Sequence, residues 1–435
     1  MEAGTLSIIL FATLLGLLAT GIWVGPVLLA VGFIAIEFFT PAPVGSLLAS
    51  TVWDASWNWA LTALPLFVWM GEILFRTRLS SDMFNGLAPW LVRLPGGLLH
   101  VNIVGCGVMA AVAGSSAVTC ATVGRMSIPE LRKRGYDEGL SIGTLAGSGT
   151  LGLLIPPSIM LIVYGVLAQQ SISRLFIAGV LPGILIISIF MAYVSIRSIL
   201  NPKLAPIETF NMSFTEKLKA SRHLIPVIGL ILCVIGSIYG GYATPTEAAT
   251  VGGLGALILA WLTKSLSWAS FMESLMGGVR TSCMISFILV GAAFLSVALG
   301  FTGVPRILGG YVEALDLSPG MLIVILTILY IFLGCFLEGV SMMVLTAAVV
   351  LPMVQSAGID LLWFGVFTVI VVEMAQITPP VGFNLFVLQG MTGRDIMSVT
   401  RASIPFFFLM LLGIFIITLV PEIVLWPVQF MLQRG

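Results

Sequence analysis

The chain has 435 residues, 59% of them hydrophobic and 9% charged, whereas soluble globular proteins run near 45–50% apolar and about 25% charged. Lys+Arg and Asp+Glu both number 19, so there is no basic face for a phosphate backbone and nucleic acid is excluded as a partner. A mean hydropathy of +1.13 places the chain in the lipid bilayer as an all-α polytopic membrane protein, because backbone groups in hydrocarbon must pair within their own helix.

Met1-Glu2-Ala3-Gly4 carries no basic n-region, and the apolar run behind it continues to Ile36 without a small-residue cleavage pattern, so the first helix is expected to be retained. Ordinary membrane helices are expected in 5–36 (two short ones), 60–75, 175–196, 224–243, 246–263, 281–301 and 402–433. The segments 76–93 and 265–279 mix charge with apolar residues and read as amphipathic arms on the membrane surface. Trp53, Trp57, Trp59 and Trp90 fall at span ends, where indole rings anchor.

Two stretches do not fit single crossings. Between Arg93 and Arg125 lie 31 uncharged residues, about 46 Å as helix, too long for one crossing of a ~30 Å core and too short for two. A re-entrant hairpin over 94–135 accommodates them. Its ends share a side, and both are basic, with Arg93 before it and Arg125, Arg132, Lys133 and Arg134 after it. The second stretch, 317–359, is interrupted only by Glu338 and flanked by Asp316 and Asp360. With the N-terminus outside, the basic residues of 76–93, 125–134, 197–222, 264–280 and 394–401 are cytoplasmic, and only Arg174, Arg306 and Arg434 lie opposite.

The two hairpins are related by one offset. Adding 223 carries Gly97 to Gly320, Pro129 to Pro352, Gly135 to Gly358, Asp137 to Asp360, Pro156-Pro157 to Pro379-Pro380 and Pro182 to Pro405. The opposite flanking charges make this internal repeat inverted in the membrane. Each hairpin has a tip of small residues, Ala113-Gly114-Ser115-Ser116-Ala117 and Gly334 to Ser341. Forty-one residues past Ser115 and past Glu338 come Pro156 and Pro379, each opening a Pro-Pro pair in an apolar run. Adjacent prolines break a helix and strip partners from the carbonyls one turn earlier. Two breaks facing two tips point to two cation sites, with half-helix N-termini turned toward an anionic substrate.

The run Gly114 to Pro182, with Ile128-Pro129-Glu130, Arg134-Gly135-Tyr136, Ile155-Pro156-Pro157-Ser158 and Leu175-Phe176-Ile177-Ala178-Gly179, resembles the large membrane subunit of tripartite ATP-independent periplasmic (TRAP) transporters. So do Glu338-Gly339, Trp363-Phe364-Gly365 and Thr378-Pro379-Pro380-Val381-Gly382-Phe383-Asn384. The resemblance implies sodium-driven import of an organic acid by an elevator mechanism in the bacterial inner membrane, with the N-terminus periplasmic. A small membrane subunit and a periplasmic substrate-binding protein are the implied partners. About two sodium ions and no organic cofactor are implied; C4-dicarboxylates, sialic acid and keto acids all remain open as substrate.

Carried over residue by residue, the first sodium site resembles Ser115, Ser116, Gly152, Ile155 and Pro157; the second resembles Gly334, Gly339, Ala375, Thr378 and Pro380. Thr378 offers a hydroxyl where Ile155 has none, so the two sites are expected to differ in affinity. Gly114, Ser158, Glu338, Val381 and Asn384 are the candidates to line the substrate cavity. The implied organisation is an N-terminal scaffold with its arm (1–93), a first core repeat (94–173, hairpin 94–135 and broken helix 139–170), scaffold helices with a second arm (174–316), a second core repeat (317–393, hairpin 317–359 and broken helix 361–392) and a C-terminal helix (394–435).

Other readings stay open at single residues. Glu338 either binds a cation or gates the cavity, or accepts hydrogen bonds from the tip backbone and holds the turn. Glu373 has a lesser claim, since it can pair with a neighbouring helix, and Arg125 is placed equally well near a substrate carboxylate or at the headgroups. Cys106, Cys120, Cys233, Cys283 and Cys335 stand singly in apolar segments, as small hydrophobes do. None of Lys133, Lys203, Lys217, Lys219 and Lys264 follows a glycine, so there is no phosphate-binding loop. An intramembrane serine hydrolase needs a base for Ser115 or Ser116, for which His100 is the one histidine in the same stretch. A proton-coupled carrier or a channel of the same architecture is the remaining alternative.

Overall fold

A computed structural model describes residues 3–76, 79–206, 212–222, 224–304, 310, 318–335, 337–379 and 382–432. Every regular element among them is a helix. The apolar N-terminal run divides, as expected, into α1 (Ala3–Ala19) and α2 (Val24–Phe39). An unforeseen helix, α3 (Val44–Ser56), follows, and a short 3₁₀ turn at Trp59–Thr62 leads into α4 (Ala63–Phe75). The first arm is a separate helix, α5 (Leu79–Leu91). Trp53, Trp57 and Trp59 are all exposed, the placement that lets indoles sit at a membrane interface.

The first hairpin is α6 (Leu99–Ala113) and α7 (Ser116–Lys133). Beyond it a broken helix runs as α8 (Glu138–Gly149), α9 (Leu151–Leu154) and α10 (Ile159–Leu167), bent by 44° at the break. Then come α11 (Ile172–Leu200), α12 (Phe214–Ser221), α13 (Ile225–Tyr239), α14 (Pro245–Leu262) and α15 (Trp268–Thr302). The second hairpin is α16 (Pro319–Gly334) and α17 (Gly339–Ser356), and the second broken helix is α18 (Leu361–Ala375) and α19 (Phe383–Thr392). The chain closes with α20 (Ile396–Leu419) and α21 (Glu422–Leu432).

Three boundaries differ from the expectation. The second arm is not a separate surface helix but the first turns of α15, which has 35 residues and is therefore about 52 Å long. A capping box at Ser267 and Ser270 starts it, and no proline interrupts it. Gly277 and Gly278 bring its backbone against Glu72 and Trp69 of α4, so this stretch is held against a neighbouring helix. The C-terminal apolar run is two helices, because Pro421 follows the end of α20. Helix α3 went unforeseen because its apolar residues are interleaved with Ser, Thr and Asp.

The offset of 223 reappears in the element bounds: Ser116–Lys133 maps onto Gly339–Ser356, and Glu138 onto Leu361. The caps match as well. Asp137 accepts from the Leu140 N–H at 2.7 Å, and Asp360 accepts from the Leu362 and Trp363 N–H groups at 2.8 and 2.9 Å. Each cap follows a glycine of positive φ, Gly135 and Gly358, that reverses the chain after a hairpin.

Helix α18 is the centre of the molecule, buried from Leu362 through Ala375. Around it pack the second hairpin, α11 and α20. Close approach of α8 to α20 depends on glycines: a Cβ on Gly143 would lie 2.3 Å from the Ala402 carbonyl oxygen, and one on Gly147 would lie 2.6 Å from the Phe406 ring. A backbone atom cannot swing away as a side chain can. Gly143→Ala is therefore expected to cost about 1–3 kcal/mol by overpacking, while Gly229→Ala, with open space at its Cβ, should be neutral or slightly stabilising. Thermal unfolding of the two variants in the same detergent measures the contrast.

Candidate cation and substrate sites

The first tip is made by Gly114, which ends α6 with φ +57°, and by Ser115, whose backbone is extended. The Ser115 carbonyl accepts from the Thr119 N–H at 3.0 Å. Gly152 stands against it, since a Cβ there would lie 2.6 Å from the Ser115 oxygen and 2.8 Å from Thr119 Oγ1. A Cβ on Gly114 would sit 3.7 Å from the Pro157 carbonyl oxygen. Gly114, Ser115, Gly152 and Pro157 thus meet, the first tip lying on the first break. Ile155 does not turn to the tip; its side chain fits against Gly183 of α11.

The Pro156-Pro157 peptide is cis. Pro157 has no N–H for the Leu153 carbonyl, and the Ser158 hydroxyl donates to that oxygen instead. Ser158 Oγ also accepts from the Leu161 N–H at 3.2 Å, capping α10. Fully buried and committed twice, Ser158 mends the break rather than facing a cavity.

At the second tip, Gly334 meets the second broken helix so closely that its Cβ would lie 2.2 Å from that of Ala375. The Cys335 thiol donates to the Pro379 carbonyl at 3.2 Å. Thr378 Oγ1 donates to the Met374 carbonyl at 3.0 Å, leaving its lone pairs available. A Cβ on Gly382 would lie 2.8 Å from both the Gln376 and the Thr378 carbonyl oxygens, so two backbone acceptors converge there. Gly339 packs on Val372 and reaches Met160 of the first repeat. Pro380 and Val381 lie outside the described residues. Glu338 takes the holding role: its carboxylate accepts from the Ser341 N–H at 3.2 Å and from Ser341 Oγ at 3.4 Å, capping α17.

The two halves are joined by side chains. Asn384, in the first turn after the second break, donates through Nδ2 to Ser116 Oγ of the first tip at 2.6 Å. Ser116 Oγ donates in turn to the Gly149 carbonyl at 3.2 Å. Around this link stand buried polar atoms with no hydrogen-bond partner among the described residues: Asn384 Oδ1, Thr119 Oγ1, Gln376 Nε2 and both carboxyl oxygens of Glu373. Among the described residues Glu373 forms no ion pair, and the Ser116 hydroxyl of the first hairpin is the polar group beside it. Sequence reasoning underrated Glu373 and passed over Gln376 and Thr119. The available signal was a single carboxylate in the otherwise apolar run Leu361–Ala375. Backbone carbonyls, hydroxyls, an amide oxygen and a carboxylate are oxygen donors of the kind that hard cations take.

His100 is far from this chemistry. Its Nε2 is 2.7 Å from the Pro95 carbonyl oxygen and 3.4 Å from Ser195 Oγ. It starts the helix that Ala113 ends, some 20 Å from the tip at 1.5 Å per residue. His100 is therefore out of reach of Ser115 and Ser116 as a base.

The sequence profile described as "Tripartite ATP-independent periplasmic transporter, DctM component" matches residues 11–423. The chain belongs to this family. It is 30% identical over 393 residues to the C4-dicarboxylate TRAP transporter large permease protein DctM of Pseudomonas aeruginosa, covering 90% of this chain and 91% of the relative. It is 32% identical to the ectoine/5-hydroxyectoine TRAP transporter large permease protein UehC of Ruegeria pomeroyi, over 82% of both chains. The crystal structure of the Alcanivorax borkumensis YdaH transporter superposes with a TM-score of 0.60 at 15% identity, covering 88% of this chain and 87% of that one, a likeness of fold. As a TRAP large permease the chain is a polytopic membrane component of an organic-solute transporter.

In this permease, a methyl group at position 152 would drive into the Ser115 backbone, which has no softer atom to yield. Gly152→Ala is expected to lower transport by about tenfold or more, the effect of misplacing a site by roughly 1 Å, with expression and thermal stability changed less. Initial uptake rates of matched proteoliposomes measure it.

Proposed function

We propose that this permease is the large membrane subunit of a sodium-coupled importer of a small organic acid, resident in the bacterial inner membrane with a periplasmic N-terminus. The observation that carries the reading is the meeting of a small-residue tip with a Pro-Pro break, made twice: Ser115 with Gly152, and Gly334 with Ala375. Broken helices set against such tips are where membrane carriers hold ions and substrate, on backbone oxygens that keep a second lone pair. The first sodium site is assigned to Ser115, Ser116, Gly152 and Pro157, and the second to Gly334, Ala375, Thr378 and the convergent carbonyls of Gln376 and Thr378. Asn384 bridges the two. A small membrane subunit and a periplasmic substrate-binding protein that delivers the acid complete the tripartite assembly that the family description implies.

Packing refines which parts move. The elevator reading sets 94–173 and 317–393 as the moving core. The interlock of α8 with α20, and the seating of Gly179 of α11 against Leu154 and Pro156 at the break, tie α11 and α20 to that core. Helices α2, α4, α14 and α15 pack on one another through small residues such as Gly25 and Gly291 and form the scaffold. A crosslink between α8 and α20 should accordingly leave transport intact, while one fixing Gly71 of α4 to Ala113 of α6, a pair already in contact, should stop it; uptake by crosslinked and reduced samples separates the two.

Proteoliposomes holding the chain with its small subunit, and its cognate binding protein outside, test the coupling. Uptake of the acid carried by that binding protein should require an inward sodium gradient, and Thr378→Val should raise the half-saturating sodium concentration severalfold, the loss of one oxygen ligand. A proton-coupled carrier is the second reading, favoured by the buried Glu373, which forms no ion pair among the described residues. Uptake driven equally well by a proton gradient without sodium would select it and displace the sodium assignment.

A further inference from the structure

A cavity of about 410 Å³ opens between the first hairpin and the scaffold, lined by Phe75, Arg76, Thr122, Arg125, Ser270 and Glu273. We infer that it binds the carboxylate of a small organic acid on the path between the first tip and the basic side of the protein, with Arg125 and Thr122 as its principal donors.

Three donors line it. Arg125 is an exposed guanidinium on the hairpin arm whose one described contact is the Phe75 ring, 6.0 Å away, and it forms no ion pair among the described residues. Thr122, one turn earlier on the same helix, is 3% exposed and its hydroxyl has no partner. Residues three apart share a helix face, so both present to one wall. From the scaffold wall, Arg76 contributes a buried Nε–H that is also unpartnered. Its other nitrogens hold Glu273 at 2.7 Å and Glu72 at 3.2 Å. Those carboxylates are answered in place, whereas the Arg125 charge on the opposite wall is not. The Ser270 hydroxyl is committed to the Ser265 and Ser267 carbonyls at the start of α15.

Position supports a small solute over a lipid. Thr122 is six residues beyond Ser116, about 9 Å along the arm, and Arg125 is eight residues, about 12 Å, short of Lys133, where the arm ends in its basic cluster. The site thus lies between the tip and the membrane surface, deeper than the headgroups that would face Arg132 and Lys133. A cavity of this size suits a small molecule, and a guanidinium with a neighbouring hydroxyl is a charge-assisted recognition pair for a carboxylate. The inference rests on the reading that an organic acid is the cargo.

The experiment follows thermal unfolding of the purified permease–small subunit complex titrated with sodium succinate, against sodium chloride at equal sodium and ionic strength. Succinate should stabilise the complex saturably. Arg125→Gln should raise the half-saturating concentration about tenfold or more, Arg125→Lys less, and Thr122→Val severalfold, since charge-assisted bonds are the stronger ones; the last two substitutions keep size and charge and guard against a misfolded variant. Equal titrations of the wild-type and Arg125 variants, or no saturable succinate response in the wild type, would overturn the inference. Loss of co-purified anionic phospholipid from Arg125→Gln, with an unchanged succinate titration, would overturn it too and give the cavity to a headgroup. Sodium-driven uptake measured in parallel keeps the two readings apart. Normal uptake with unchanged titrations removes this site alone, and shifted titrations without sodium-driven uptake remove the coupling reading alone.

Discussion

The structure turns on how a helix can be broken inside a bilayer. Hydrocarbon offers no hydrogen bonds, so every carbonyl released by a proline must find a partner in the protein. At the first break the Leu153 carbonyl is taken by the Ser158 hydroxyl, and at the second the Ala375 and Gln376 carbonyls are taken by the Thr378 and Asn384 N–H groups at 3.1 and 3.3 Å. These replacements leave the breaks intact as stable features. Glycine is likewise required at 152 on the first break and at 334 on the second tip, since a larger residue at either would collide with the opposing chain.

The bond from Asn384 to Ser116 ties the two tip-and-break units to each other. A group that engages the Ser116 hydroxyl must share it with Asn384, and through Asn384 it reaches the residues that follow the second break. Glu373 lies in the same buried cluster, contributed by the helix on which the second break stands. Coupling between two bound species needs a shared element of this kind, whose arrangement both can bias. The outer surface carries large exposed side chains, among them Phe38, Leu232, Ile328 and Phe408, the dressing expected where lipid replaces water.

Much of this was legible in the sequence because membrane constraints are local. A charge-free stretch of 31 residues is too long for one crossing and too short for two, which prescribes a hairpin whatever its surroundings, and the observed α6 and α7 turn at Gly114 as read. The Pro-Pro pairs likewise break their helices wherever those helices lie. Asp137 and Asp360 announce helix starts through their own side chains. Where local signals were mixed, reading failed: the charged residues of 265–279 suggested an arm on the surface, but Gly277 and Gly278 let that stretch lie against α4 and continue unbroken into the span.

By itself the sequence determined the membrane class, the two hairpins, the two breaks and the residues at each, because hydropathy, proline stereochemistry and glycine's freedom act within a few residues of themselves. Only the tertiary structure decided which of those residues meet. It paired Ser116 with Asn384 across 268 positions, committed Ser158 and Glu338 to capping, buried Glu373 beside the first hairpin and set Arg125 beside a cavity. Such outcomes depend on which helices approach and at what distance, and a side chain's partner through space leaves no mark in the spacing of the chain that carries it.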